Sequence, residues 1–232
     1  MALRSRESVG RAGTRTPVKE RLLSVATRLF ARHGFESTSV QDIVDAAGVT
    51  KGAMYHYYGS KDDLLYEVYH QVLSMQTSHL DEIAAGPGTA EERLRAAATD
   101  LVQTSLDNLD DMIVFFRSLH MLPDDKQAQI RAERRRYHDK FKALVEEGVA
   151  AGTFRSDISA DIVVHYFLSV INQLGSWYKP EGQLSPAQVG EMFTELLIGG
   201  LATRSGTRWR GLAVLRHEAA ERAAWLAVLA DS

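Results

Sequence analysis

Two short helical patterns separated by one glycine constrain the fold of this sequence more than any other feature. The apolar positions of the first pattern recur at three- and four-residue spacing and are Val40, Ile43, Val44 and Ala47. Gly48 follows at once and can adopt the left-handed conformation that ends a helix and turns the chain. Thr50 can cap a second helix that runs to Tyr57. Two helices joined in this way, with a third before them, predict a helix-turn-helix unit, whose second helix can enter a DNA major groove.

Apolar residues at helical spacing continue along most of the chain. The first helix begins near Val18 and ends at Gly34, and a long fourth helix begins after the capping pattern of Ser60 and Asp63. Further helices are predicted at about 89–109, 110–121, 124–151, 159–177 and 185–203, with an amphipathic tail helix at about 215–229. No segment alternates like a strand and no internal repeat is visible, so the predicted fold class is all-α.

The composition is that of an ordinary globular protein without disulfides. The chain has 232 residues, of which 45% are hydrophobic, 25% are charged and none is cysteine. No apolar run approaches the ~20 residues that a membrane-spanning helix needs, and the N-terminal segment lacks the apolar stretch of a secretory signal. These features predict a soluble, cytoplasmic protein without membrane contact. The missing thiols exclude disulfides, thiolate catalysis and most structural zinc sites.

The net charge of −3 divides unevenly along the chain. Residues 1–61 hold 10 Lys and Arg against 5 Asp and Glu, a balance of +5, and the remainder holds 17 against 25, a balance of −8. A basic head on an acidic body indicates that only the head meets a polyanion. Double-stranded DNA is the polyanion that a helix-turn-helix unit would bind.

The second helix of the predicted unit carries side chains suited to DNA. Lys51 can donate to guanine acceptors or to phosphate. Aromatic rings with hydroxyl or imidazole groups follow at Tyr55, His56 and Tyr57. Gly52 has no side chain, so the start of the helix can approach a phosphate or a base closely. The competing interpretation is a solvated surface residue for Lys51 and plain packing for Tyr57.

Residues 18–69 closely resemble the N-terminal domain of TetR-family transcriptional repressors. The matching residues are Ala26, Leu29-Phe30, Gly34-Phe35, Thr38-Ser39-Val40, Asp42-Ile43, Ala46, Gly48-Val49, Lys51-Gly52, Tyr55-His56-Tyr57-Tyr58, Ser60-Lys61 and Leu64. Carried over position by position, the DNA-contacting roles of the family fall on Thr38 or Ser39, Gln41, Thr50, Lys51, Gly52, Tyr55, His56, Tyr57 and Lys61. The resemblance implies a regulator of about nine helices that binds DNA as a homodimer.

Three segments are predicted from these patterns. Residues 1–15 are rich in Arg, Ser and Gly and form a disordered basic arm, which is either a solvated tail or a minor-groove contact. Residues 16–62 form the helix-turn-helix DNA-binding domain. Residues 63–232 form a larger helical domain for effector binding and dimerisation, with an extra helix at its C-terminal end.

The eighth and ninth predicted helices are apolar on nearly every side. The apolar residues include Ile162, Val163, Val164, Tyr166, Phe167, Leu168, Val170, Ile171, Leu174, Val189, Met192, Phe193, Leu196, Leu197, Ile198 and Leu201. Such a helix must be covered all round, and a second chain is the simplest cover. We therefore expect a homodimer through helices near 159–178 and 185–203, which the resemblance also implies. Its two recognition helices would meet successive major grooves ~34–36 Å apart on a pseudo-palindromic operator.

The resemblance implies an effector pocket between the fifth and eighth helices. Candidate lining residues are Phe115, Phe116, Leu119, His120, Arg134, Tyr137, Phe141, His165, Tyr166, Asn172 and Trp177. For each of them an ordinary core position is the competing interpretation. The apolar majority predicts a small hydrophobic effector held by a few polar groups.

Arginines at 131, 134, 135 and 136 allow two interpretations of the seventh helix. They form either a solvated face paired with neighbouring acids or a phosphate grip for a ligand such as coenzyme A. The turn at 177–185 resembles that of acyl-CoA-responsive repressors of fatty-acid and sterol breakdown, but no arginine lies between Arg155 and Arg204. The predicted function is a repressor released by a hydrophobic small molecule, with an acyl-CoA as one candidate. The alternative is a multidrug-efflux-type repressor that senses diverse apolar or cationic compounds.

The polar residues do not form a catalytic pattern. Eight histidines are scattered without a His-x-x-x-His or Glu-His metal pair, and Gly-rich phosphate loops are absent. The sequence therefore predicts no enzyme, no metal and no cofactor. A small-molecule-binding protein with a vestigial DNA head is disfavoured, because Lys51, Tyr55, His56 and Tyr57 all remain.

Overall fold

Ten α-helices and one turn of 3₁₀ helix follow one another in residues 17–203, the part of the chain that the computed structural model describes. The helices are α1 (Val18–His33), α2 (Val40–Ala47), α3 (Lys51–Tyr57), α4 (Lys61–Ala85), α5 (Ala90–Asp107), α6 (Leu109–Arg117), α7 (Asp124–Ala150), α8 (Ala160–Asn172), α9 (Leu174–Trp177) and α10 (Pro186–Leu201), with the 3₁₀ turn at Leu119–Met121. The all-α prediction is confirmed. The predicted arm and tail helix lie outside the described residues.

The sixth and eighth predicted helices are shorter than the sequence indicated. The sixth ends at Arg117 and continues as the 3₁₀ turn, while the eighth is interrupted at Gln173. The interruption lets α9 pack on α6, where a Cβ on Gly175 would lie only 2.8 Å from Cγ1 of Ile113. An apolar pattern does not reveal such a break, because both pieces remain buried on one side.

Local capping explains why the helices of the N-terminal domain begin and end where they do. Ser39 and Asp42 form a capping box at the start of α2, and Thr50 Oγ1 accepts from Ala53 N at 3.1 Å at the start of α3. Gly48 joins the two helices in the left-handed conformation, with φ 63° and ψ 43°. Met54 lies in the core, so one face of α3 packs inward and the opposite face points to solvent.

α4 connects the N-terminal domain to the rest of the protein. Its buried side contacts α1, α5, α6 and α7, and comprises Leu64, Leu65, Val68, Tyr69, Val72, Leu73, Gln76 and Leu80. Lys126 of α7 forms an ion pair with Asp63, and this hydrogen-bonded ammonium holds the pKa of the Asp63 carboxyl below its usual range. The predicted boundary between residues 62 and 63 falls within the first turn of α4 and stays a prediction.

A second contact between the two parts runs from α1 to α6. Thr27 is buried there, and its side chain hydrogen-bonds the half-buried Asp111 carboxyl. Burial, reinforced by the neighbouring Asp110, raises the pKa of Asp111 despite that hydrogen bond. The joint between the parts therefore contains a carboxylate whose charged form is disfavoured.

The last described helices pack against α5 and α7. α10 lies along α5, where Thr99 Oγ1 and Thr194 Oγ1 are 2.9 Å apart, and α8 lies along α7. Arg155 N donates to Leu201 O at 2.9 Å, and an isolated β-bridge joins Phe154 to Ala202. These bonds tie the segment before α8 to the end of α10. None of the described helices is long and apolar enough to span a bilayer.

Candidate functional site

The outward face of α3 carries most of the predicted DNA-contacting residues. Lys51, Gly52 and His56 are exposed, and the Tyr55 and Tyr57 side chains are 52% and 44% exposed. His56 and Tyr57 pack edge to face with ring centroids 5.0 Å apart. Large aromatic side chains this exposed are unusual on a surface that meets only water. Their exposure opposes the plain-packing interpretation of Tyr57.

Packing within the domain does not require a glycine at position 52. Its backbone is helical, and an added Cβ would meet nothing closer than Thr50 Oγ1 at 3.8 Å. Thr50 itself is exposed and caps α3. The space in front of Gly52 therefore opens outward, toward whatever binds this face.

The predicted contacts on α2 are exposed but already hydrogen-bonded within the helix. Ser39 Oγ donates to Asp42 Oδ2 at 2.7 Å, and Gln41 Nε2 donates to Asp45 Oδ1 at 2.7 Å. Hydrogen bonds from Ser39 also lower the pKa of the Asp42 carboxyl. A phosphate contact by Ser39 or Gln41 would have to compete with these carboxylates.

Two predicted DNA contacts, Thr38 and Lys61, have structural partners. The Thr38 side chain is buried, and its hydroxyl donates to Gly34 O at 2.8 Å. Lys61 Nζ donates to Phe35 O at 2.8 Å and to Thr38 O at 2.9 Å, and it lies 4.2 Å from the centroid of the Phe35 ring. Both side chains are thus hydrogen-bonded within the domain, and their contacts with DNA stay predictions.

Two family models match the chain. The model described as "Bacterial regulatory proteins, tetR family" matches residues 22–68, and the one described as "Tetracyclin repressor-like, C-terminal domain" matches residues 87–201. A crystal structure of a TetR/AcrR-family transcriptional regulator from Thermobifida fusca is 34% identical, with a TM-score of 0.64. The similarity covers 78% of this chain and 97% of that one. The chain belongs to the TetR family.

Two further similarities concern individual TetR-family members. The HTH-type transcriptional repressor KstR2 of Mycolicibacterium smegmatis is 29% identical over 203 residues, which cover 82% of this chain and 93% of that protein. A crystal structure of AibR in complex with isovaleryl coenzyme A and operator DNA is 22% identical, with a TM-score of 0.70, and covers 78% of this chain and 98% of that chain. The AibR similarity shows the fold alone. Family membership agrees with the prediction of a regulator and not an enzyme.

The predicted effector contacts divide into three groups. Phe115, Tyr137 and Phe141 are buried in the core. The partly buried members are Phe116, Leu119, Arg134 and Asn172. The exposed members are His120, His165, Tyr166 and Trp177. Tyr166 is 64% exposed and Trp177 is 45% exposed, so the single chain buries neither side chain, and the effector contacts stay predictions. The sequence did not reveal the exposure of these two side chains, because an all-apolar helix does not show which of its sides faces its own domain.

Arg134 places a charged group against one of the predicted effector contacts, Phe115. Its guanidinium carbon lies 5.4 Å from the centroid of the Phe115 ring, and burial lowers its pKa. Burial also raises the pKa of Tyr69, an effect that Arg134 opposes. Among the described residues no carboxylate forms an ion pair with Arg134. A partly desolvated cation against aromatic rings suits an anionic group on a largely apolar ligand.

The sequence analysis did not single out a cluster of three side chains that could hold a metal ion. His138 of α7 meets Asp161 and His165 of α8, with all three ligand atoms within 4.8 Å of one another. The prediction of no metal pair considered only His-x-x-x-His and Glu-His spacings. Asp161 and His165 have the same four-residue spacing with an aspartate first, and this signal was available in the sequence.

Replacing Lys61 with methionine is expected to lower the free energy of unfolding by roughly 1–3 kcal/mol, because two carbonyls lose their charged donor. Urea unfolding, with the wild type and the variants at the same protein concentration, measures this change. Lys51→Met, at an exposed position, is the matched control and should stay within about 0.5 kcal/mol of the wild type. Equal unfolding free energies for the two variants would contradict the structural role of Lys61.

Proposed function

We propose that this TetR-family protein is a transcriptional repressor that binds a pseudo-palindromic DNA operator as a homodimer. A small hydrophobic effector with an anionic group, of the acyl-CoA type, releases it from DNA. The observation that carries the DNA-binding part is the outward face of α3, on which Lys51, Tyr55, His56 and Tyr57 are exposed around a glycine. Such a face matches the depth and the hydrogen-bonding groups of a major groove. The name of the KstR2 relative, a transcriptional repressor, supports the same role.

Exposed apolar side chains on the last two long helices support the homodimer. Ile162 and Tyr166 of α8 are 60% and 64% exposed, and Met192 and Leu196 of α10 are 50% and 72% exposed. Each pair is four residues apart and so forms one side of its helix. Gly199 and Gly200 extend the α10 side with exposed backbone, to which no added Cβ would meet an obstacle. A second copy of this chain would cover both sides at once.

The surroundings of Arg134 support an anionic rather than a cationic effector. A cationic drug would meet a guanidinium that is already partly desolvated, and two like charges in such a site repel strongly. A thioester of coenzyme A combines an apolar acyl chain with phosphates that an arginine can bind. The AibR structure, a complex with isovaleryl coenzyme A and operator DNA, is a precedent for this effector class on the same fold. These points favour the acyl-CoA type over the efflux type.

Release follows from the difference in effector affinity between two arrangements of the dimer. In one arrangement the recognition helices fit the operator, and in the other they do not. An effector that binds the second arrangement more tightly than the first shifts the population away from the DNA-binding form. A differential affinity of about 100-fold, or about 2.7 kcal/mol, would weaken operator binding by the same factor.

Gly52→Ala is expected to weaken operator binding roughly tenfold, about 1.4 kcal/mol, while leaving thermal stability unchanged or slightly higher. The added methyl group meets nothing inside the domain, so any loss arises from the DNA-facing side. Fluorescence anisotropy on DNA that flanks the protein's own gene measures the affinity.

Lys51→Ala, titrated over about 50–200 mM salt, should also reduce the slope of log K against log salt by about 1 if Lys51 binds phosphate. If Gly52→Ala and Lys51→Ala both bind the operator as tightly as the wild type, α3 does not contact DNA. A salt-independent wild type would contradict a DNA role altogether.

Leu196→Glu is expected to convert the dimer to a monomer, because it places a charge on the exposed apolar side of α10. Size-exclusion chromatography with light scattering reads the mass directly. Leu184→Glu is the matched control, since Leu184 is 39% exposed in the loop before α10 and should leave the dimer intact. A monomeric wild type at micromolar concentration, or a dimeric Leu196→Glu protein, would refute this interface.

Arg134→Met is expected to abolish release from operator DNA by acyl-CoAs at concentrations that release the wild type, without changing DNA affinity in their absence. Arg136→Met, on the exposed side of the same helix, should respond like the wild type. The measurement is operator anisotropy titrated with acyl-CoAs, the corresponding free acids and cationic drugs. Release by cationic drugs alone would instead favour the efflux-type repressor.

A further inference from the structure

Three potential metal ligands meet where α7 packs against α8. His138 comes from the middle of α7, and Asp161 and His165 come from successive turns of α8. The cluster is independent of the α3 face, and it does not include Arg134 or the Phe115 ring. His165 is also one of the predicted effector contacts, but the α3 face and the proposed Arg134 contact do not account for the cluster as a whole.

The distances within the cluster match those of a tetrahedral ion. His138 Nε2 lies 3.1 Å from His165 Nδ1 and 3.5 Å from Asp161 Oδ1, and His165 Nδ1 lies 3.5 Å from Asp161 Oδ2. A zinc ion with ligands at about 2.0–2.2 Å in a tetrahedron separates its ligand atoms by about 3.3–3.6 Å. The two Asp161 distances involve different carboxylate oxygens, so the carboxylate would have to turn for one ion to bind all three side chains.

The supporting contacts also resemble those of a metal site. The second ring nitrogen of His138, Nδ1, lies 3.4 Å from Asp139 Oδ1, so a carboxylate faces the side of the imidazole away from the cluster. His138 is buried and held in place, whereas Asp161 and His165 are accessible to solvent. An ion would thus enter from solvent, keep water as a fourth ligand and rest on one fixed imidazole.

His165 is already hydrogen-bonded through the nitrogen that faces the cluster. His165 Nδ1 lies 2.9 Å from the Asp161 carbonyl oxygen, which indicates that this nitrogen carries the hydrogen and donates it there. Binding through Nδ1 requires the other tautomer, with the hydrogen on the solvent-exposed Nε2. Exposure of His165 makes that change inexpensive.

We propose that His138, Asp161 and His165 form a binding site for a divalent transition-metal ion, with zinc as the expected class. Two imidazoles and one carboxylate are a common ligand set for zinc, whereas magnesium and calcium take mainly oxygen ligands. The ion joins α7 to α8. Because Asp161 and His165 each precede an exposed apolar residue, Ile162 and Tyr166, the ion also restrains the helix that carries the proposed dimer face.

Isothermal titration calorimetry of the full-length, tag-free protein with ZnCl₂, after chelator treatment and dialysis, tests this site. The wild type should bind one zinc ion per chain and unfold at a higher temperature with zinc, because the ion binds only the folded state. Co²⁺ in place of zinc should give the intense visible absorption of a tetrahedral site. The chain has no cysteine, so no thiolate can produce that absorption elsewhere.

Asp161→Asn and His165→Asn should each weaken zinc binding at least about tenfold, since even residues that only support a ligand change affinity about 10–100-fold. Both positions are exposed or partly exposed, so the variants should fold. His79→Asn is the matched control, because His79 Nδ1 lies 3.1 Å from Asp100 Oδ1 but belongs to no described group of three ligands.

The control should bind zinc like the wild type. Absence of saturable zinc binding, equal affinity in the wild type and both ligand variants, or loss of binding in His79→Asn would each overturn the site. None of these measurements uses DNA or effector, so the outcome is independent of the proposed repressor function.

Discussion

Burial of one side of α4 is the constraint on which both parts of the molecule depend. Leu64, Leu65, Val68 and Tyr69 are fully buried there, and each contributes about 1.5–3 kcal/mol through removal of apolar surface from water. The same helix contacts α1 in the DNA-binding domain and α5, α6 and α7 in the effector domain. A helix shared in this way cannot be repacked for one part without disturbing the other. Its first residue, Lys61, extends the connection to the backbone before α2.

α8 shows how one helix can serve three partners. Val163, Val164 and Phe167 are buried against α7 and the core, Ile162 and Tyr166 face outward, and the polar positions between these two sides carry the histidine and aspartate of the metal cluster. The buried, outward and polar sides are three faces of α8 around its helix axis. An ion held between α7 and α8 would consequently limit how far α8 can turn, and with it the orientation of the proposed dimer face.

Features set by neighbouring residues could be predicted from the sequence, and features set by distant ones could not. The capping side chains at Thr50 and Ser60 start their helices as predicted, and Ser39 does the same for α2, because each bond closes within three residues. The exposed face of α3 was predicted equally well. The partners of Lys61 could not be predicted, because no local pattern reveals a carbonyl more than twenty residues away, such as Thr38 O. The break at Gln173 depends on the packing of α9 on α6. The histidine cluster depends on the contact between α7 and α8, and in both cases the partners are more than twenty residues apart in sequence.

The length of α4 has a consequence for reading DNA. Its 25 residues extend about 37 Å at about 1.5 Å per residue, with the DNA-binding domain at one end. A tilt of only about 5° about the far end would displace that domain by about 3 Å, close to the ~3.4 Å rise between successive base pairs. In a dimer the same tilt in each subunit would displace both recognition helices. An angular change too small to break any helix–helix contact can therefore move the protein out of register by about one base pair in each half-site.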